Sequence, residues 1–345
     1  MTYDNTDADS DGVIEADIDN DSVNTGQTVT GSLSADVSAA SKPLDARKAN
    51  VSLDDIFQTY TAIGDPYQDG NANEYPTIIH AASAFDNPLS DWYIYTSPYS
   101  TTEVKLFHTD DPESLPWTSY GTVLTAESGS SQADSPNVVY VPEANEVRMY
   151  YHEVGPGTTG VGSQHTLLAT SPESEDGTSW TKQNGTFALP GLDGQRNGKW
   201  DDNERTYASV VRDGSGFKAV YMGRDLEANE RGIGMAWSPD GKDWTTMRRP
   251  IAWGNLQPNW DPQTSLDIGG PSIFRLGGEI VITWNTDADH RALTWESAKT
   301  AKGPEDTVVL PDKMNMLSGD VASNGTEAYV VTKQEIATLD WGDYL

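Results

Sequence analysis

Cysteine is absent from this chain, so a disulfide framework and any thiolate-based metal or nucleophilic site are excluded. Basic residues are scarce: 22 Lys and Arg stand against 53 Asp and Glu, a formal charge of −31. A field of that sign repels phosphate backbones and anionic headgroups, which excludes nucleic acid as a partner and argues against membrane surfaces. No apolar run approaches the roughly 18 residues of a membrane-spanning helix. The opening MTYDNTDADSDG has neither the charged start nor the apolar stretch of a secretion signal. This balance of acids over bases is that of a protein kept soluble in molar salt, where the Debye length shrinks to about 3 Å and self-repulsion is screened. A high-salt, extracellular setting is the expectation.

What the chain does contain is core material. Its 11 Trp, 15 Tyr and many Val/Ile-rich runs exclude a disordered acidic polymer. The composition changes near residue 50. Residues 1–41 hold nine acids and no base, too polar to build a core alone. Yet VIEADI (13–18) and SVNTGQTVTGSLSADV (22–37) alternate apolar with polar residues, the period of short strands. Strands with no partner inside the segment point to pairing with other chains. Residues 1–50 therefore read as an arm for anchoring or oligomerisation, and residues 51–345 as the folded domain. In the arm, Asp7, Asp9 and Asp11 followed by Gly12 start like a calcium loop, whose alternate carboxylates converge on a hard cation. Ile18 stands where such a loop ends in Glu. The arm thus suggests calcium, and nothing in the sequence requires a cofactor.

From residue 75 a repeat sets in. YPTIIHA, DSPNVVYV, TYASVVRD, GGPSIFRL and SGDVASNG each run from small or polar residues into an apolar strand, with centres 48 to 72 residues apart. Each is followed by a second strand (DWYIYTSP, EVRMYYHEV, GFKAVYMG, EIVITWN, EAYVVTK) and a third (VKLFHT, HTLLATS, GIGMAWS, ALTWESA, IATLDW). Five such sets at this spacing predict a five-bladed β-propeller. The fifth set ends at the C-terminus with three strands, an unpaired edge that part of residues 51–63 is expected to close. SEDGTSW (174–180) and SPDGKDW (238–244) share Asp-Gly for a tight turn and a Trp to bury between blades, and TDDPESLPW (109–117) is a looser copy.

The run SPNVVYVPEANEVRMYYHE, QHTLLATSPESEDGTSW and GIGMAWSPDGKDW resembles the five-bladed glycoside hydrolases of the arabinanase, xylosidase and fructosidase type, over roughly residues 56–345. That resemblance implies three acids at the starts of the first three inner strands, acting as base, helper and general acid. The matching positions are Glu74, Asp134 and Glu204; Glu74 stands where the family has Asp, and the Arg-Asp-Pro context is missing. The arm's DGVIEADIDNDSVNTG is similar to anchoring segments of haloarchaeal virus tail proteins.

Other residues suit sugar recognition. His80, like His108 and His165 on or beside inner or third strands, can hydrogen-bond hydroxyls or, with acids nearby, bind a divalent ion. Arg205 and Arg224 can bridge acids or grip an anionic sugar through two hydrogen bonds. Tyr75, Trp92, Tyr151, Tyr207 and Trp284 lie near strand ends, while Trp253 and Trp260 lie in the Gly/Pro/Asn-rich segment IAWGNLQPNWDP, where a sugar ring has a face to stack on. Two functions remain open: a surface-glycan-binding propeller on a virion tail, held there by its arm, and a glycoside hydrolase.

Overall fold

The computed structural model describes residues 53, 57 and 59–339, apart from 68–72, 99–100, 155–163, 188–199, 202–203, 215, 226–229, 248, 254–267, 277–278, 287–288, 302–305, 311–318, 325–326 and 334. The arm's predicted strands and the aspartates of its calcium-like loop lie outside these residues.

The first described strand, β1 (Thr61–Gly64), belongs to the last blade. Blade 1 is β2 (Asn73–His80), β3 (Trp92–Pro98), β4 (Glu103–Thr109) and β5 (Thr118–Thr125). Blade 2 is β6 (Gln132–Val141), β7 (Glu146–Val154), β8 (Gln164–Pro172) and β9 (Thr181–Phe187). Blade 3 has β10 (Glu204–Asp213), β11 (Gly216–Asp225) and β12 (Glu230–Ser238), edged by two short strands, β13 (Thr245–Thr246) and β14 (Ala252–Trp253). Blade 4 is β15 (Gly269–Leu276), β16 (Glu279–Asn285), β17 (His290–Thr294) and β18 (Val308–Val309). Blade 5 is β19 (Asp320–Ser323), β20 (Ala328–Val331) and β21 (Ile336–Leu339), with β1 as its outer strand. Among the described residues every pairing within a blade is antiparallel, and one parallel bridge, Arg205 to His165, joins blades 2 and 3 into a continuous sheet. This is the five-bladed propeller the repeat predicts.

Closure follows the expected route. Thr61 and Ala62 pair with Thr338 and Ala337, so an early segment covers the edge that the C-terminal strands would expose. Just upstream, Phe57 and Tyr60 are buried against Phe274, Val281, Val330 and Leu339, wedged between blades 4 and 5. Five apolar clusters fill the five interfaces between blades. The core is thus a ring of interfaces, which is why the middle strands read as nearly continuous apolar runs.

The Asp-Gly turns work as interface clamps. Tyr95 of blade 1 donates to the Gly177 carbonyl of blade 2 at 2.9 Å, and Tyr150 of blade 2 donates to the Gly241 carbonyl of blade 3 at 2.9 Å. Both glycines have positive φ, 79° and 71°, and a Cβ on either would lie 2.6 Å from the tyrosine hydroxyl it faces. Trp244 is buried beside Tyr150, and Trp180 meets Tyr95 edge to face. One strand ends sooner than its sequence suggests. In ALTWESA the strand stops at Thr294, whose hydroxyl accepts from the Ser297 amide and caps a short helix, α1 (Trp295–Ala298).

Candidate functional site

The inner strands β2, β6, β10, β15 and β19 pack each against the next around the axis. Among the described residues, four of them carry a one-residue bulge at the same level, between Glu74 and Thr77, Asp134 and Asn137, Thr206 and Ser209, and Gly269 and Ser272. The residue forced into the left-handed region is Tyr75, Ser135, Tyr207 or Gly270, with φ from 52° to 55°. Three of the four are not glycine, and such strain persists where the surroundings dictate it, often beside functional sites.

Below the bulges lies a polar girdle. Thr77, Asn137, Ser209 and Asp320 each accept a hydrogen bond from a backbone amide of the next blade: Val138 at 3.2 Å, Val210 at 2.8 Å, Ile273 at 3.1 Å and Ile78 at 3.3 Å. Thr77 also donates to Asp320 at 2.6 Å. These side chains supply the amides with partners that the bulged ladders lack. Burial is the main reason that Asp320 is pushed up to about 6, against the hydrogen bonds from Thr77, Val321 and Ile78.

Above the girdle the axis is nearly filled. The rings of Tyr75 and Tyr207 meet with centroids 4.9 Å apart, over a cavity of about 20 Å3. That is space for water, not for a sugar ring. Tyr207 is held as a neutral phenol, its hydroxyl pushed far up by burial first, then by Tyr75 and Asp134.

The three predicted acids lie around this rim, and all are buried. Glu74 directly precedes Tyr75 and pairs with Lys333 of blade 5. Asp134 directly precedes Ser135. Its Oδ1 meets Nδ1 of the fully buried His152 and accepts from Ser135 at 2.9 Å, while its Oδ2 accepts from Gln132 at 2.9 Å. The His152 ring also lies 4.8 Å from that of Tyr207. Blade 3 departs from the expectation. Thr206, not Glu204, occupies the level of Glu74 and Asp134, because the bulge falls two residues later than the nearest acid. Glu204 sits one pleat further out on the same strand face, opposite Arg224, with a 3.9 Å approach of their charged groups. None of the three acids lines the axial cavity itself.

Arg224 is thus at the rim. Arg205 is turned away from it: its guanidinium pairs with Asp201 at 3.0 Å, and Asp201 also accepts from Tyr221 at 2.6 Å, a buried link inside blade 3. His80 closes the other end of β2 from Glu74, against Ser83 and the Trp92 ring. Burial lowers its pKa, and that of His108, which bonds Ser90. Trp92, Tyr151 and Trp284 are core residues, so of the aromatic candidates whose side chains are described, Tyr75 and Tyr207 are the ones at the axis. Trp253 ends β14, and Trp260 lies outside the described residues.

His152, Lys333 and Asp320 escape the sequence reading. His152 was findable, since EVRMYYHE pairs back on DSPNVVYV; simple hairpin counting, however, puts Glu153 opposite Asp134, and only the bulge brings His152 there. Among the described residues, no group of three or more His, Asp or Glu is placed to hold a metal ion.

No protein-family model matches the sequence, and no curated protein is significantly similar to it. Solved structures do share the fold. An α-L-arabinofuranosidase from Lactobacillus brevis superposes with a TM-score of 0.52 at 13% identity, over 79% of this chain and 92% of that one. An endo-arabinase from Bacteroides thetaiotaomicron gives 0.53 at 17% identity, over 81% and 97%. The Bombyx mori β-fructofuranosidase BmSUC1 gives 0.53 at 13% identity, over 88% of this chain and 66% of that one.

Proposed function

We propose that the chain is a glycoside hydrolase that takes its saccharide at the rim formed by the starts of β2, β6 and β10. The observation that carries this is the placement of buried Glu74 and Asp134 directly beside strained Tyr75 and Ser135, with buried Glu204 one pleat out from the equivalent level, at one end of three consecutive inner strands. Buried carboxylates are costly and persist where counter-groups or chemistry retain them. The glycosidase activities of the proteins that share this fold favour the same reading. Glycoside hydrolysis needs one carboxylic acid to protonate the leaving oxygen and one carboxylate to activate water or to attack the anomeric carbon. Glu204, further out, takes the acid role, Glu74 that of the base, and Asp134, locked by His152, Ser135 and Gln132, fixes the charge between them.

Binding without turnover is the second reading, favoured by Lys333, which occupies the Glu74 carboxylate, and by the two tyrosines that fill the axis. Mounting on a virion tail is a further proposal that depends on residues 1–50; no feature of the propeller supports it.

The deciding experiment incubates the full chain with arabinan, xylan and fructan in molar KCl and measures released reducing sugar. Release that vanishes in Glu204→Gln supports the hydrolase. Retention without release that is lost in Glu204→Gln selects binding at the rim, and neither retention nor release removes both.

A further inference from the structure

Among the described residues Trp237 is the exposed tryptophan: 45% of its surface is open to solvent, whereas Trp92, Trp117, Trp200, Trp244, Trp284 and Trp295 are buried. It sits near the end of β12, opposite Lys218 in β11 and Thr245 in β13. Lys218 lies six residues along β11 from Arg224, so about 20 Å separates this position from the acid rim. Trp237 opens onto a groove of about 380 Å3, lined also by Lys218, Met235, Met247, Trp295 and Lys299. That volume is within the ~300–1,000 Å3 of ordinary small-ligand sites.

Charge narrows what the groove can take. Lys218 lies 5.0 Å over the Trp295 ring and is neutralised by Asp213 at 2.6 Å. Lys299 is neutralised by Glu296 at 2.7 Å. Both lysines among the described lining residues are thus paired, and the net charge of −31 keeps polyanions away. Nor do these pairs offer a free carboxylate to draw a cation, because Asp213 and Glu296 are engaged by the same lysines. A neutral ligand remains, with an apolar face for the indole and polar groups for the ion pairs at the margins, each of which offers donors and acceptors. A pyranose or furanose ring has that form, since its C–H face stacks on an aromatic ring while its hydroxyls point outward. An all-apolar ligand would leave the two ion pairs without hydroxyl partners.

We propose that this groove is a second saccharide site, which holds a neutral sugar chain on Trp237 at the end of the propeller opposite the acid rim. It would keep a polymer on the protein independently of events at the rim, and it stands whether or not the rim is catalytic.

The test is depletion of the full-length protein from solution by insoluble xylan, cellulose and chitin, with insoluble cross-linked pectate as the acidic comparison. Wild type, Trp237→Ala, Trp237→Phe and Glu204→Gln are compared, with circular dichroism to verify folding. Wild type and Glu204→Gln are retained on at least one neutral polymer, Trp237→Ala loses about tenfold in affinity, and Trp237→Phe keeps most of it. The proposal is overturned if no neutral polymer retains the wild type, if Trp237→Ala is retained equally well, or if pectate retains the protein better than every neutral polymer. Retention lost in Glu204→Gln and intact in Trp237→Ala assigns all binding to the rim and overturns it as well.

Discussion

Asp134 faces His152 across the first hairpin of blade 2, and the bulge at Ser135 is what sets them opposite one another. The imidazole meets one carboxylate oxygen while its ring lies beside Tyr207, so carboxylate, imidazole and half-buried phenol form one row at the rim. Replacing His152 by Leu removes that partner, which costs about 1–3 kcal/mol for a buried group left unmatched, and it lowers sugar release. His152→Gln, whose amide still donates, loses less of both. Urea midpoints and initial rates measure the two effects; equal losses in both variants would reduce His152 to a packing residue.

Asp134→Asn separates chemistry from structure at the same place. The amide keeps the size of the side chain and removes its charge, so the expected result is a fall in turnover of roughly 10²–10⁴-fold with polysaccharide retention intact. A variant with the wild-type rate would exclude Asp134 from the reaction.

Blade number, strand order and closure were legible because apolar runs recur with turn signals between them, and because an edge strand left open invites pairing. Even the interface clamps were half visible in the Asp-Gly-x-x-Trp turns. The rim was less legible. Its level in each blade is set by the bulge, and no residue type announces a bulge when Tyr75 and Tyr207 occupy the positive-φ positions that glycine usually marks. The nearest-acid rule therefore selected Glu204, while Thr206 holds the equivalent level. Among 53 acids, proximity to a strand start discriminates poorly. Arg205 misled for a related reason: its partner, Asp201, is close in sequence, but only the fold shows that the pair is buried beneath Tyr221.

Gly241 and Gly214 test the interface clamp. Both have positive φ, 71° and 58°, but a Cβ on Gly241 meets the hydroxyl of Tyr150 and the guanidinium of Arg148, whereas a Cβ on Gly214 meets nothing within 4 Å. Gly214→Ala thus loses about 1–2 kcal/mol for the left-handed backbone. Gly241→Ala adds overpacking of about 1–3 kcal/mol and disturbs the Tyr150 hydrogen bond. Equal denaturant midpoints for the two variants would refute the clamp.

Ionic strength is the next lever. A charge of −31 is screened over about 3 Å in molar salt and over about 30 Å at 0.01 M. The melting temperature is expected to fall steadily as KCl is lowered from molar to millimolar, with the loss of any measurable transition at the low end. A flat melting temperature would count against adaptation to salt.

Asp320 gives the fold a specific pH dependence. Its carboxyl is buried in the girdle that joins blade 5 to blade 1, and its pKa is raised to about 6 from an ordinary value of 3.8. The folded chain thus holds this proton more tightly than the unfolded chain does. The stability it confers is fully present below about pH 4, is lost as pH rises through about 6, and does not change further above that. A difference of about two pH units corresponds to roughly 3 kcal/mol. Asp320→Asn still accepts a hydrogen bond from the Ile78 amide but cannot ionise, so it escapes the loss. Wild type and variant titrate alike at the other acids, which the difference between their unfolding free energies cancels. That difference is expected to shift in favour of the Asp320→Asn variant by roughly 3 kcal/mol between about pH 4 and about pH 7, most of it below the upper end of that range. Urea unfolding of both proteins across this range is the measurement, and a constant offset at every pH would show that Asp320 is ionised inside the girdle.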